Sequence, residues 1–240
     1  MSSPEWLAPF DAPFAAAIQA RLTAGAGRRV AVFDADGTLW YEDIGEAFLR
    51  WLAAGGLIAG YPDPADLWAE YERRVAESRI EGYTWAVRVM AGLADADIRR
   101  WCRQLAYAWP NVRAPMVSLI AGLRAEGFET WIVSASNRWI IEAAAPFVGV
   151  PLDRVVGIEV QVQEGLLTTK PVYPRPCNQG KVDAIQKHIG VKPVFAFGDS
   201  MGDFEMLAWA EQPMVVARRD RPNNALVREA LGRDWPVHRF

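Results

Sequence analysis

Three observations predict an α/β fold, a parallel sheet with an inserted all-helical segment. Short apolar runs recur at 29–33, 129–133, 154–158, 193–197 and 214–217, with helical patterns between them. Strands alternating with helices build a parallel sheet covered by helices on its faces. Two of the runs stop abruptly at carboxylates, Asp34 and Asp199, and ligands of open α/β sheets bind at the carboxyl ends of strands. Residues 41–113 carry helical stretches from Glu46 to Ala54, Pro64 to Ser78, Thr84 to Ala91 and Asp95 to Ala108, with no convincing strand among them.

The first strand is Val30-Ala31-Val32-Phe33, followed by Asp34-Ala35-Asp36-Gly37-Thr38. Residues two apart on a strand point the same way, and two close anions repel unless a cation or a shared proton lies between them. Such a pair suits a divalent metal, with one oxygen left for nucleophilic attack. The plainer alternative is an Asp-rich turn after a strand. The helical segment follows, and Trp109-Pro110-Asn111 to Ala114-Pro115 punctuates its end, because proline interrupts a helix.

Thr130-Trp131-Ile132-Val133 reads as a strand ending in the hydroxyl of Ser134. Residues 158–168 alternate with period two around Glu164-Gly165 and read as a hairpin beside the main sheet. A proline-rich stretch from Lys170 to Cys177 leads into a helix start bearing Lys181. Val194-Phe195-Ala196-Phe197-Gly198 forms another strand before Asp199, and Asp203 opens the next helix, where a carboxylate suits the positive helix end. Taken singly, Ser134, Lys181 and Asp203 read equally well as a cap, a solvated lysine and an N-terminal acid.

At 240 residues and 51% hydrophobic content the chain can bury a substantial core, as one large domain or as a core with an insertion. Twenty-six basic residues against 29 acidic ones give a net charge of −3, which leaves no electrostatic footprint for nucleic acid. Cys102 and Cys177 stand far apart and read as reduced thiols. There is no basic segment followed by an apolar one at the N-terminus, and no apolar run long enough to span a bilayer, so a cytoplasmic location is expected. His188 and His238 are too few for a metal site.

In this order the segments resemble the four motifs of the haloacid dehalogenase superfamily of phosphotransferases. The D-x-D-G-T of its first motif is matched by Asp34 to Thr38, its second-motif hydroxyl by Ser134, its third-motif lysine by Lys181, and its G-D-S-x-x-D by Gly198 to Asp203. The resemblance implies a Rossmann-like parallel-sheet core over 1–40 and 114–240, with 41–113 as a helical C1-type cap of the phosphoserine-phosphatase-like branch. It implies Asp34 as the nucleophile that becomes an aspartyl-phosphate and Asp36 as the general acid and base. It further implies Mg2+ held by the Asp34 carboxylate, the Asp36 backbone carbonyl and Asp199, with Asp203 in support. Ser134, Lys181 and the backbone near Ala135 would hold the phosphoryl oxygens. Superfamily members that dehalogenate carbon lack an acid at the position of Asp36, because halide leaves without a proton, so phosphoryl transfer is favoured.

The expected function is hydrolysis of a small phosphorylated metabolite. Transfer to an alcohol or a mutase reaction is the nearest alternative, and a non-catalytic phosphometabolite-binding regulator stands further off. Residue choice for the substrate rests on Glu42, which follows the nucleophile where the branch binds an ammonium, on Arg88 for a carboxylate, and on Asn137. After Ser134 phosphoserine phosphatases usually carry Gly-Gly, whereas this chain has Ala135-Ser136-Asn137, which counts against phosphoserine itself. Six of eleven tryptophans (40, 51, 68, 85, 101 and 109) fall at or within the cap. Such rings either cage a quaternary ammonium or fill a small helical core, and Trp40 and Tyr41 are the best placed to line an entrance.

Overall fold

A computed structural model describes residues 3–23, 27–109 and 111–240. Pro110, part of the expected linker, lies outside the described residues. After a helix α1 (Ala12–Arg21), strand β1 (Val30–Phe33) enters the molecule's centre. Four helices follow within residues 41–113, α2 (Ile44–Ala54), α3 (Pro64–Glu77), α4 (Arg79–Arg88) and α5 (Asp95–Tyr107). The remaining order is α6 (Ala114–Ala125), β2 (Glu129–Asn137), α7 (Arg138–Ala144), β3 (Val155–Ile158), β4 (Val160–Gln163), β5 (Leu166–Pro171) and α8 (Gln179–His188). The chain then closes with β6 (Phe195–Gly198), α9 (Phe204–Trp209), β7 (Gln212–Ala217), α10 (Ala225–Gly232) and β8 (Val237–Arg239).

Six strands form one parallel sheet in the order β3-β2-β1-β6-β7-β8. β1 is buried throughout, and its residues alternate between two cores. Ala31 and Phe33 join the core shared with α1, α6, α7 and the four inserted helices, whereas Val30 and Val32 join the one covered by α8, α9 and α10. Burial on both faces explains why this strand reads as an unbroken apolar run. Phe33 and Phe197 stack with ring centroids 4.4 Å apart, locking β1 to β6.

Between β1 and β6 the order of connection reverses, the chain building outward to β3 on one side and to β8 on the other. This reversal opens the crevice where doubly wound sheets bind ligands. The hairpin β4–β5 turns at Glu164 and Gly165, both at positive φ, as its two-residue turn requires. It docks on the α4–α5 connection, where Gly92 N donates to Leu167 O at 2.8 Å and Leu167 N to Leu93 O at 2.9 Å. Neither α1 nor β8 was foreseen, and α4 begins five residues before the expected start at Thr84.

Candidate active site

Strand pairing sets the centre of the site. Asp34 follows the last residue of β1, its N–H donating to Phe197 O at 2.9 Å, so its carboxylate stands beside the end of β6, where Asp199 begins the next loop. Carboxylate oxygens of Asp34, Asp199 and Asp203 lie within 4.8 Å of one another, and all three residues are buried. Such an approach depends on Gly37, at φ +83°, because a Cβ there would stand 2.3 Å from Asp199 Oδ2.

Lys181, on the first turn of α8, is buried with its Nζ 2.6 Å from Asp34 Oδ1 and 2.6 Å from Asp203 Oδ1. Asp203 Oδ2 accepts from the N–H of Asp199 and of Ser200, at 3.2 and 3.0 Å, and from Ser200 Oγ at 3.2 Å. With both oxygens engaged, Asp203 braces the Asp199 loop and Lys181. The Asp199 carboxylate takes no hydrogen bond among the described residues, and Arg218 Nη1 is 3.8 Å away.

Burial, then the neighbouring Asp203, push the Asp34 carboxyl up to about 7 against the pull of Lys181. Burial followed by Asp34 and Asp203 holds Asp199 well above the usual carboxylate range, with Arg218 opposing. Burial disfavours the Lys181 ammonium, but Asp203 and Asp34 outweigh it and keep the charge in place. Three buried carboxylates thus crowd around one ammonium, two of them pushed toward protonation, and a set of hard oxygen donors short of positive charge fits a divalent cation such as Mg2+.

Asp36 stands outside this cluster. Its Oδ1 accepts from Trp40 Nε1 at 2.7 Å and from Ile44 N, the first residue of α2, at 2.8 Å, while Oδ2 accepts from Ser136 Oγ at 2.6 Å. Burial raises its pKa while these donors, Ser136 first, draw it down. With the side chain committed in this way, any contribution of Asp36 to a metal falls to its backbone carbonyl.

Ser134 is buried within β2, three residues before the strand's end, its Oγ accepting from Ser136 N at 3.1 Å. Together with Ala135, Asn137 and Lys181 it lines the same cavity, of about 430 Å³, as the four aspartates. The same cavity is lined by Glu42, Asp43 and Glu46 around the start of α2, by Tyr71 of α3 and by Arg79 and Tyr83 of α4. Asp43 caps α2 by accepting from Glu46 N at 2.8 Å, and burial, then Asp36 and Glu46, hold its carboxyl well above the usual range. Tyr71 OH donates to Glu46 Oε1 at 3.1 Å, and burial pushes the Tyr83 phenol up to about 12.

Several sequence expectations are corrected here. Arg88 is exposed and does not line the cavity, whereas Arg79 does. Nine residues make two and a half helical turns, so the two arginines lie on opposite sides of α4. The lining residues Arg79, Tyr83, Ala86, Val87 and Met90 share one face at helical spacing. Once the true start of α4 is known, that period is the signal that finds Arg79.

None of the six tryptophans lines the cavity. Trp40 is fully buried as a donor to Asp36, and Tyr41 lies against the Arg113 guanidinium, 4.1 Å from its ring centroid. Trp51 packs on Trp101, Trp68 on Tyr71 and Trp85 on Tyr61, filling the core of the helical insert. Arg175 pairs with Glu81 at 2.7 Å and Thr84 Oγ1 at 3.1 Å, tying its loop to α4 away from the cavity. Besides Arg79, the cavity residues Ser136, Tyr71, Tyr83, Arg218 and Arg221 were not singled out from sequence.

A family model described as haloacid dehalogenase-like hydrolase matches residues 31–208, and the chain belongs to that family. Two of the curated proteins it is similar to are named as phosphatases. It is 30% identical over 193 residues to phosphoserine phosphatase SerB2 of Mycobacterium tuberculosis, covering 76% of this chain and 42% of that protein. It is 21% identical to the histidinol-phosphatase of Neisseria meningitidis over 89% of this chain and 99% of the relative. A crystal structure of a protein with unknown function from Bordetella pertussis Tohama I shares the fold, with a TM-score of 0.76 and 21% identity over 88% of this chain and 98% of the other.

Proposed function

We propose that the protein is a Mg2+-dependent phosphomonoesterase that hydrolyses a small phosphorylated metabolite through an aspartyl-phosphate on Asp34. The observation that carries this reading is the joint placement of Asp34, Asp36, Ser134, Lys181 and Asp199 on one cavity at the sheet's reversal point.

Asp34 is the nucleophile. Lys181 holds one of its oxygens and Thr38 Oγ1 donates to the other at 3.2 Å, which fixes the carboxylate's plane. Ser134 is oriented by the Ser136 N–H on its oxygen, so its own proton is directed elsewhere, toward a phosphoryl oxygen in the cavity, and Lys181 meets a second such oxygen. Asp36 gives its proton to the departing alkoxide and later takes one from the water that cleaves the intermediate. The Asp34 and Asp199 carboxylates and the Asp36 carbonyl would hold Mg2+, with Asp203 bracing them. When bound, the ion offsets the repulsion between the carboxylates and the phosphoryl group.

The helices α2 to α5, within the 41–113 segment, form the cap that closes over the substrate and excludes water. Glu42, Asp43 and Glu46 under that cap favour a substrate with an amino or ammonium group, as in phosphoserine, phosphoethanolamine or phosphocholine, and Asn137 contacts it from the core side. The two phosphatase-named relatives are in keeping with this class. No helix among the described residues is long and apolar enough to cross a membrane, and both cysteines are unpaired, which supports a cytoplasmic enzyme. Phosphate release from a panel of small phosphomonoesters, with Mg2+ and with chelator, tests the reading. Turnover must need the metal and vanish in Asp34→Asn, and wild-type turnover unaffected by chelator would refute it.

A further inference from the structure

We infer that Ser136 is a positioning residue for the reaction, one that holds the general acid Asp36 in register with the phosphoryl-binding Ser134; the inference rests on the acid role of Asp36 proposed above. A carboxylate offers about four acceptor sites, and Asp36 uses three. Two, on Oδ1, are filled by the Trp40 indole and the Ile44 amide, neither of which can turn into an acceptor. The transferable proton therefore belongs on Oδ2, and the Ser136 hydroxyl, 2.6 Å away, occupies one of the two sites on that oxygen. A single direction remains open for the proton that the leaving group receives.

The same residue reaches the other side of the reaction, its backbone N–H donating to Ser134 Oγ at 3.1 Å. One residue thus spaces the group that binds the phosphoryl oxygens from the group that protonates the ester oxygen. The first turn of α2 leaves room for this. At Gly45 a Cβ would lie 2.8 Å from Ser136 Oγ and 3.0 Å from its Cβ, so any larger residue would turn the hydroxyl away from Asp36. Gly45 lies in the first turn of α2, where alanine is otherwise the better helix residue, and its Cβ would also stand 3.2 Å from the capping Asp43 Oδ1, so Gly45→Ala displaces Ser136 and is read beside the Ser136 variants, which leave that cap alone.

The test exploits the leaving group. p-Nitrophenolate departs without a proton, whereas phenolate gains from one, so an acid out of position slows phenyl phosphate selectively. kcat/KM is compared for the two phosphates, with Mg2+ present, in wild type, Ser136→Ala, Ser136→Thr and Gly45→Ala, with thermal unfolding confirming that each variant is folded. Ser136→Ala and Gly45→Ala are expected to lose about tenfold more on phenyl than on p-nitrophenyl phosphate, and Ser136→Thr, which keeps the hydroxyl, to recover most of the loss. Equal losses on both phosphates, or none in folded Ser136→Ala, would overturn the inference while leaving the phosphatase reading intact. If Asp36→Asn hydrolyses phenyl phosphate as wild type does, the acid assignment itself fails and the inference with it.

Discussion

The Lys181 ammonium stands 2.6 Å from Asp34 and reaches Asp203 at the same distance, one buried cation serving two carboxylates with Asp199 alongside as a third. This imbalance has a pH signature. Asp34 is pushed up to about 7 in the fold against an ordinary value of about 3.9. A carboxyl raised on folding contributes stability at low pH that is lost as pH climbs from about 4 through about 7. Mg2+ binds the ionised carboxylates and competes with those protons. Its stabilising effect is therefore expected to be larger at about pH 8 than at about pH 5.5, reaching roughly 2.7 kcal/mol at a hundredfold excess over Kd. Thermal unfolding with Mg2+ and with chelator at both pH values checks this, and an equal shift at the two would contradict it.

The two arginines of α4 make a paired prediction. Arg79 faces the cavity and Arg88 faces solvent. Arg79→Ala is expected to change KM for the preferred phosphomonoester by about tenfold, equivalent to roughly 1.4 kcal/mol, while Arg88→Ala stays within about twofold. Steady-state kinetics on the two variants decide it, and a larger effect at Arg88 would place the cap differently over the site.

Trp40→Phe keeps most of the buried ring but removes the indole N–H that Asp36 Oδ1 accepts at 2.7 Å. A hydrogen bond to a charged group is worth roughly 1.5–3 kcal/mol, so stability is expected to fall by about that amount and kcat by about tenfold. Chemical denaturation and kinetics on the same preparation measure both. An unchanged kcat would mean that Ile44 N and Ser136 suffice to hold the acid.

Trp40 also shows where sequence reading stops. The strand ends before Asp34 and Asp199 were legible because a strand buried on both faces is a short apolar run, whereas β2 runs three residues past Ser134, the expected end, to Asn137. The hairpin was legible from alternation about Glu164-Gly165. Which side of an inserted helix faces the cavity was not, since it depends on where the helix begins and how it packs; Arg88 was named from the resemblance, whereas Arg79, on the opposite side of α4, lines the cavity. The Ser136–Asp36 bond joins residues a hundred positions apart, and no local pattern encodes it. The edge strand β8 has three residues, too short for periodicity to register.

That short strand carries a further pH dependence. His238 is buried, its Nδ1 3.2 Å from Asp11 N and 3.1 Å from Asp11 Oδ2, which also accepts from Arg239 N at 3.0 Å. Burial lowers the imidazole below its ordinary 6.5, with Arg113 adding to the effect and Asp11 opposing it. A histidine lowered on folding contributes stability that is complete above about 6.5 and declines as pH falls from there toward the folded value. His238→Asn, which keeps an acceptor but cannot titrate, is expected to flatten the fall in stability below about pH 6.5. Denaturant melts across that range test it, and parallel curves for variant and wild type would refute it.

The central claim is that Asp34 carries the phosphoryl group. Acid-quenching the enzyme during turnover of p-nitrophenyl phosphate with Mg2+, then mapping the peptides by mass spectrometry, asks this directly. A phosphoryl group on Asp34, absent from Asp34→Asn, is the expected result. A phosphoryl group on any other residue, or turnover that persists in Asp34→Asn, would contradict the account.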